Sequence, residues 1–198
     1  MRRNYVAFLG ALAALSAFAG SAYAETPPPP AAPCFFCQPL VTYGASTLPQ
    51  STAIPRETIS YESKFAPGTV VISTSERRMY YILSGNQAVR YGVGVGRPGF
   101  EWSGQKTVSA KKEWPDWTPP AQMLKRRPDL PRHMAGGIEN PLGARAMYLG
   151  SSLYRIHGSN EPDTIGQAVS SGCIRMTNED VTDLYDRVKV GTKVVVQR

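Results

Sequence analysis

Thr69 to Val95, T-V-V-I-S-T-S-E-R-R-M-Y-Y-I-L-S-G-N-Q-A-V-R-Y-G-V-G-V, is the stretch whose reading decides what kind of fold this chain builds. Thr69-Val70-Val71-Ile72-Ser73-Thr74 is dominated by β-branched residues, and Arg78 to Leu83 (R-M-Y-Y-I-L) is a second apolar run of strand length. Ser84-Gly85-Asn86 supplies a turn between that run and the next. From Gln87 to Val95, strict alternation puts Val89, Tyr91, Val93 and Val95 on one face, as a half-buried strand requires. Three short strands with tight turns predict an antiparallel meander. Arg97-Pro98-Gly99 then breaks the pattern.

Toward the C-terminus, Lys106 to Ala110 reads as another short strand. Lys111 to Leu142 differs in kind, being rich in Pro, Trp and charge, with Trp114-Pro115-Asp116-Trp117-Thr118-Pro119-Pro120 at its start and a short helix expected over Pro120 to Arg127. A connection this long is usually functional or locally ordered as a lid. Its tryptophans either grip a sugar or peptide, or pack the loop onto the sheet. Strands resume at Ala144 to Leu149 and Leu153 to Ile156, the latter delivering His157. Thr177 is a natural N-cap, followed by Glu179 and Asp180 in a first turn and by an apolar stripe of Val181, Leu184, Tyr185 and Val188. Gly191 is expected to end that helix and Thr192 to Val196 to close the domain as a strand. The expected class is mainly β, sheets folded on themselves, with one amphipathic helix.

Toward the N-terminus, Met1 to Ala24 reads as a secretory signal: Arg2 and Arg3, an apolar Ala/Leu-rich run, then Ala22-Tyr23-Ala24. No other segment is apolar enough to span a bilayer, so no integral span is expected after cleavage, and the chain is expected in the periplasm or envelope. Residues 25–67 are linker-like, opening with Pro27-Pro28-Pro29-Pro30. Cys34-Phe35-Phe36-Cys37 within it suits a local disulfide or two idle thiols, since no second pair or nearby histidine completes a metal set. No metal and no cofactor are expected. The whole chain carries 22 basic and 15 acidic residues; without Arg2 and Arg3 the balance is 20 − 15 = +5. That suits an anionic polymer such as a cell wall. No basic block with interleaved aromatics is present, so nucleic acid is not an expected partner.

The chemistry is concentrated in Tyr154 to Thr177. If Cys34 and Cys37 pair, Cys173 is the odd thiol of an exported protein and a candidate nucleophile. His157 stands sixteen positions earlier, at a strand end. The other histidine, His133, lies in the Pro-rich excursion, where aiming a base is harder. Thiol plus imidazole is an activated-nucleophile pair. Gly172 permits a positive-φ turn, and the amides of Gly172 and Cys173 are candidate oxyanion donors. Arg175 and a paired imidazolium are expected to lower the thiol pKa and favour thiolate at neutral pH. Ser170 and Ser171 offer hydroxyls to a substrate peptide or to the turn.

Met147 to Arg175, together with Asn140-Pro141-Leu142-Gly143 and Asn178-Glu179-Asp180-Val181, resembles the signature of the L,D-transpeptidases with a YkuD-type catalytic domain. The resemblance covers roughly residues 68–198, the catalytic domain it implies, with a β-sandwich-like fold. It implies cysteine acyl transfer on peptidoglycan, with Cys173 as nucleophile and His157 as general base, then acid. The Gly158 carbonyl would orient the imidazole, and Arg175 would hold the donor's carboxylate or the site itself. The implied donor is a tetrapeptide stem; the acceptor is another stem, a D-amino acid or an envelope-protein lysine. Many members carry Ser-His-Gly-Cys where this chain has Ser170-Ser171-Gly172-Cys173, which removes one histidine from the site. An L,D-carboxypeptidase or cysteine hydrolase of wall peptides, or a non-catalytic peptidoglycan-binding module, remain alternatives at this point.

Overall fold

A computed structural model describes residues 54–198. The expected secretory signal, the Pro-rich stretch up to residue 53 and the Cys34–Cys37 pair lie outside the described residues. The strands in chain order are β1 (Glu57–Ser60), β2 (Val70–Ser73), β3 (Arg78–Ile82), β4 (Gln87–Gly92), β5 (Val95–Gly96) and β6 (Gly104–Glu113). Helix α1 (Ala121–Arg126) follows, then β7 (Arg145–Leu149), β8 (Arg155–His157), β9 (Ala168–Ser170) and β10 (Ile174–Arg175). Helix α2 (Asn178–Arg187) and β11 (Lys193–Gln197) complete the order.

The meander β2–β3–β4 is antiparallel, as its alternation predicts. It is one flank of a nine-stranded sheet ordered β1-β4-β3-β2-β11-β6-β7-β8-β10, beside a small parallel pair of β5 and β9. The sheet is curled. Val89 and Tyr91 of β4 share one apolar core with Ile156 of β8 and Ile174 of β10, although these strands lie near opposite ends of the hydrogen-bonding order. Gly94 and Arg175 exchange two backbone hydrogen bonds of 2.9 and 2.8 Å, joining β10 to the chain that leaves β4. The expected single strand from Gln87 to Val95 is thereby divided. Its first part pairs with β3, whereas β5 pairs with β9.

Residues 57–67, expected to be linker, belong to the fold. β1 pairs with β4, and Ile59, Tyr61 and Phe65 pack over Val71, Tyr80, Ile82 and Ala88 on the outer face of the meander. Tyr61 stacks on Tyr80 with ring centroids 4.5 Å apart. The apolar face of the meander's back needs this cover, because β2 is buried at all four positions. Arg56 also reaches acidic residues of α2, with N–O distances of 3.5 Å to Asp180 and 3.7 Å to Asp183.

Helix α2 begins where its cap predicts: Thr177 Oγ1 accepts from the Asp180 amide at 3.1 Å. Its stripe, Val181, Leu184 and Val188, is buried in the common core. The helix stops at Arg187 rather than at Gly191. Val188 is extended so that its side chain stays in the core, and Lys189 to Thr192 form the turn into β11.

Candidate active site

The site is delivered by strand register. β10 runs parallel to β8, with Ile174 opposite Ile156 and Arg175 opposite His157. The two isoleucines are 1% and 0% exposed and anchor both strands in the core. Alternation then turns Arg155, His157, Cys173 and Arg175 to the other face. All four line one cavity of about 750 Å³, a volume in the range of small-molecule sites. Cys173 thus sits across from Arg155 and diagonally from His157, on an adjacent strand.

His157 is buried, and its Nδ1 lies 2.6 Å from the Gly158 carbonyl oxygen. A carbonyl only accepts, so Nδ1 carries the proton and Nε2 holds the lone pair. Burial pushes the imidazole down to about 3, more than the carbonyl contact raises it, and Arg175 and Arg155 lower it further. The ring is therefore neutral across the physiological range. Glycine follows it for a steric reason: a Cβ at Gly158 would lie 2.3 Å from Asn178 Oδ1, which accepts from the Ala144 amide at 2.9 Å.

Cys173 is a free, partly exposed thiol with Sγ 3.8 Å from the Leu153 carbonyl oxygen. The expected shift toward thiolate is opposed here. Desolvation pushes the thiol up, outweighing the opposite pull of Arg155 and Arg175. Burial thus favours the neutral form of both groups, thiol and imidazole.

The turn before Cys173 is built from within. Ser170 Oγ donates to the Cys173 carbonyl at 2.6 Å and accepts from the Gly172 amide at 3.1 Å. The Ser170 proton and the Gly172 N–H are thus used by the turn itself, and neither is free for a ligand. Ser171 lines the cavity. Gly172 has φ of +108°, and a Cβ there would meet the Tyr154 ring at 2.5 Å. That ring stacks on Trp102 with centroids 4.6 Å apart and planes 4° apart. Trp102 Nε1 donates to the Gly172 carbonyl at 2.7 Å.

Arg175 Nη1 is paired with Glu161 Oε2 at 2.8 Å, at the edge of the cavity. His133, the other histidine, is exposed on the excursion, with Nε2 3.8 Å from Asp116. The excursion itself forms the far wall of the cavity through Trp117, Met123, Arg126, Leu130 and Met134. Paired backbone hydrogen bonds of 2.8 Å between Trp117 and Met134 close its base. Buried Asn140 binds the Met134 and Ala135 carbonyls through Nδ2 and the Leu142 amide through Oδ1. Trp117 borders the cavity while Trp114 is 44% exposed, so the two tryptophans play different parts.

Sequence reasoning did not single out Trp102, Tyr154 as a stacking ring, or Arg155. Period-2 alternation on β8 would have placed Arg155 on the His157 face. Nothing local announces Trp102, whose partner lies seventy residues away.

Comparison with known proteins agrees with this architecture. The L,D-transpeptidase catalytic domain family matches residues 67–196. The chain is 39% identical over 136 residues to the probable L,D-transpeptidase ErfK/SrfK of Escherichia coli K12, taking in 64% of this chain and 43% of that protein. It therefore spans under half the length of the curated relatives it matches. Among solved structures, an L,D-transpeptidase from Mycobacterium smegmatis is similar in fold, at 20% identity and a TM-score of 0.54, covering 66% of this chain and 58% of that one. A Brucella melitensis chain described as a probable carnitine operon oxidoreductase is 44% identical, with a TM-score of 0.51, covering 74% of this chain and 96% of that one. That description is the Brucella chain's own. The match over residues 67–196 takes in about two thirds of the sequence, and by it this protein belongs to the L,D-transpeptidase family.

Proposed function

We propose that the chain transfers acyl groups between peptidoglycan stem peptides through a thioester on Cys173. The observation that carries this reading is the His157–Gly158 contact of 2.6 Å, which leaves Nε2 as the basic nitrogen in the cavity that holds the thiol. In the first step Sγ bonds to the carbonyl carbon of the stem's third residue while Nε2 takes the thiol proton. The tetrahedral oxyanion is met by the Cys173 amide, the Gly172 amide being held by Ser170. Trp102 supports that geometry. By pinning the Gly172 carbonyl, it turns the Cys173 N–H of the same trans peptide to the opposite side.

The carbon–nitrogen bond then breaks and His157 returns the proton to the departing D-alanine amine. An acceptor amine attacks the thioester, gives its proton to His157 and displaces the Cys173 thiol. A neutral resting pair fits this sequence, since the proton moves as the carbonyl arrives. Peptidoglycan lies outside the cytoplasmic membrane, so this reading includes export directed by residues 1–24.

Incubating the protein with tetrapeptide muropeptides and mapping products by mass tests the reading. Dimers that have lost one alanine, absent with Cys173→Ala, are expected. Tripeptides alone would move the assignment to a hydrolase.

A further inference from the structure

Resting on that acyl-transfer reading, the geometry points to Arg155 as the receptor for the free carboxylate of the donor peptide's terminal residue, in place of Arg175. Four arginines line the cavity, and they differ in how their charge is met. Arg175 is paired with Glu161 at 2.8 Å and Arg127 with Asp129 at 2.7 Å. Arg126 is exposed on α1, over the Phe100 ring, where water solvates it. Arg155 is half-buried, and among the described residues no carboxylate lies within 4.0 Å of it.

Its guanidinium rests over the Tyr148 ring, 5.2 Å from the centroid, which fixes its position without neutralising it. Its Nε is buried with no hydrogen-bond partner. Two other arginines, Arg90 and Arg145, share that last property, but each has a carboxylate on its terminal nitrogens, Glu57 and Glu113 respectively. A half-buried guanidinium with an empty donor and no counter-charge is matched by a carboxylate brought in by the ligand.

Which carboxylate follows from where Arg155 stands. The parallel register of Ile174 with Ile156, continued by one residue, puts it across from Cys173, about 4.8 Å away along the hydrogen-bonding direction. The scissile carbonyl must lie on Sγ. In a peptide cleaved at its last bond, only the nitrogen and α-carbon of the leaving residue separate that carbonyl from the terminal carboxylate. A guanidinium next to the sulfur reaches that group and no more distant one at the same time as Sγ engages the carbonyl. The consequence is a preference for peptides that end one residue after the attacked carbonyl. The carboxylate leaves with the product, so the acceptor enters a cavity whose Arg155 is again uncompensated. Arg155 also favours the Cys173 thiolate, and a test must separate the two effects.

The probes are the stem tetrapeptide and the same peptide with its C-terminal carboxylate made a carboxamide, its other carboxylates unchanged. Binding is measured by calorimetry on Cys173→Ala protein, with Arg155 intact, as Arg155→Gln and as Arg155→Lys. With Arg155 intact the acid is expected to bind at least about tenfold more tightly than the amide. Arg155→Gln should erase that preference, Arg155→Lys should keep part of it, and Arg175→Gln should keep most of it. A preference that survives in Arg155→Gln, or that vanishes in Arg175→Gln instead, overturns the assignment. Alkylation of Cys173 by uncharged iodoacetamide in the single Arg155→Gln variant isolates the effect on the thiol. Equal binding of acid and amide with Arg155 intact, alongside slowed alkylation in the variant, would show that Arg155 serves the thiol and would also overturn it. If the parent turns over neither peptide yet Cys173→Ala binds the acid selectively through Arg155, the transferase reading fails and the carboxylate receptor stands.

Discussion

Two regions wall the same cavity by different means. On one side, β8 and β10 total five residues, yet Ile156 and Ile174 are sunk in the common core and the two strands are paired in register. On the other, residues 114–142 form a loop closed by the Trp117–Met134 bridge and pinned by Asn140, with none of the six α1 residues buried. The groups proposed to react sit on the first. Groups that only have to shape space sit on the second. The chain thus separates placing the chemistry from shaping the cavity, and substitutions should sort accordingly.

The largest expected effect lies in the two groups proposed to react. Cys173→Ala should abolish the acyl adduct seen by intact-protein mass spectrometry, and His157→Ala should slow adduct formation by roughly a hundredfold or more. His133→Ala should leave it unchanged. Adduct formation at the parent rate in His157→Ala would erase the distinction between the two walls. The core anchors come next. Ile156→Ala should lower unfolding stability by about 2–5 kcal/mol, as buried aliphatic truncations do, measured by denaturant titration. Leu130→Ala on the opposite wall should lower it by less than about 1 kcal/mol while still raising KM.

A smaller, sharper effect is expected at Trp102→Phe, which keeps a ring on Tyr154 but removes the N–H donated to the Gly172 carbonyl. The acylation rate should fall by about tenfold with little change in donor binding, since one oriented hydrogen bond at the nucleophile turn is lost. An unchanged rate would mean that stacking alone holds the turn. The last effect is electrostatic. The folded His157 pKa, about 3, lies below the ordinary 6.5, so in acid the unfolded chain takes up a proton that the folded chain refuses. That contribution to stability is complete above pH 6.5 and is lost as pH falls toward 3, with a slope of at most about 1.4 kcal/mol per pH unit. Melting curves between pH 7 and 4 should show a shallower loss in His157→Asn. Iodoacetamide alkylation of Cys173 should in turn have its pH midpoint above the ordinary thiol value, because burial raises that pKa.

Periodicity made most of the scaffold legible. The β-branched run from Thr69 and the cap-plus-stripe pattern from Thr177 each correspond to an observed element, while the alternation from Val89 to Val95 runs through two, β4 and β5. What escaped depends on distant partners. β1 hides in a polar stretch because Ile59, Tyr61 and Phe65 gain meaning only against Val71 and Tyr80. β9 and β10 are too short to show a period at all. Scarcity of cysteine and histidine pointed to Cys173 and His157, and the fold brings both to one cavity. Sequence shows the arginines near Cys173 but not the desolvation that opposes them and pushes the thiol up. Arg175 was expected to hold either the donor's carboxylate or the site itself, and the sequence could not show that Glu161, fourteen residues away, pairs with it.

The position of β11 has a consequence for the order in which the molecule is made. It follows every other strand in the chain, yet it lies between β2, to which it is parallel, and β6, to which it is antiparallel. Until it is inserted the sheet lacks the strand that joins its β2 and β6 flanks, and Val194 and Val196 are missing from the core between them. The β2 and β6 flanks cannot be joined through β11 before the chain has been made through Gln197, and long-range pairing of this kind is slow. The strands that carry His157 and lead from Cys173 thus belong to a half-sheet whose other edge, β6, is joined to the meander only when β11 arrives.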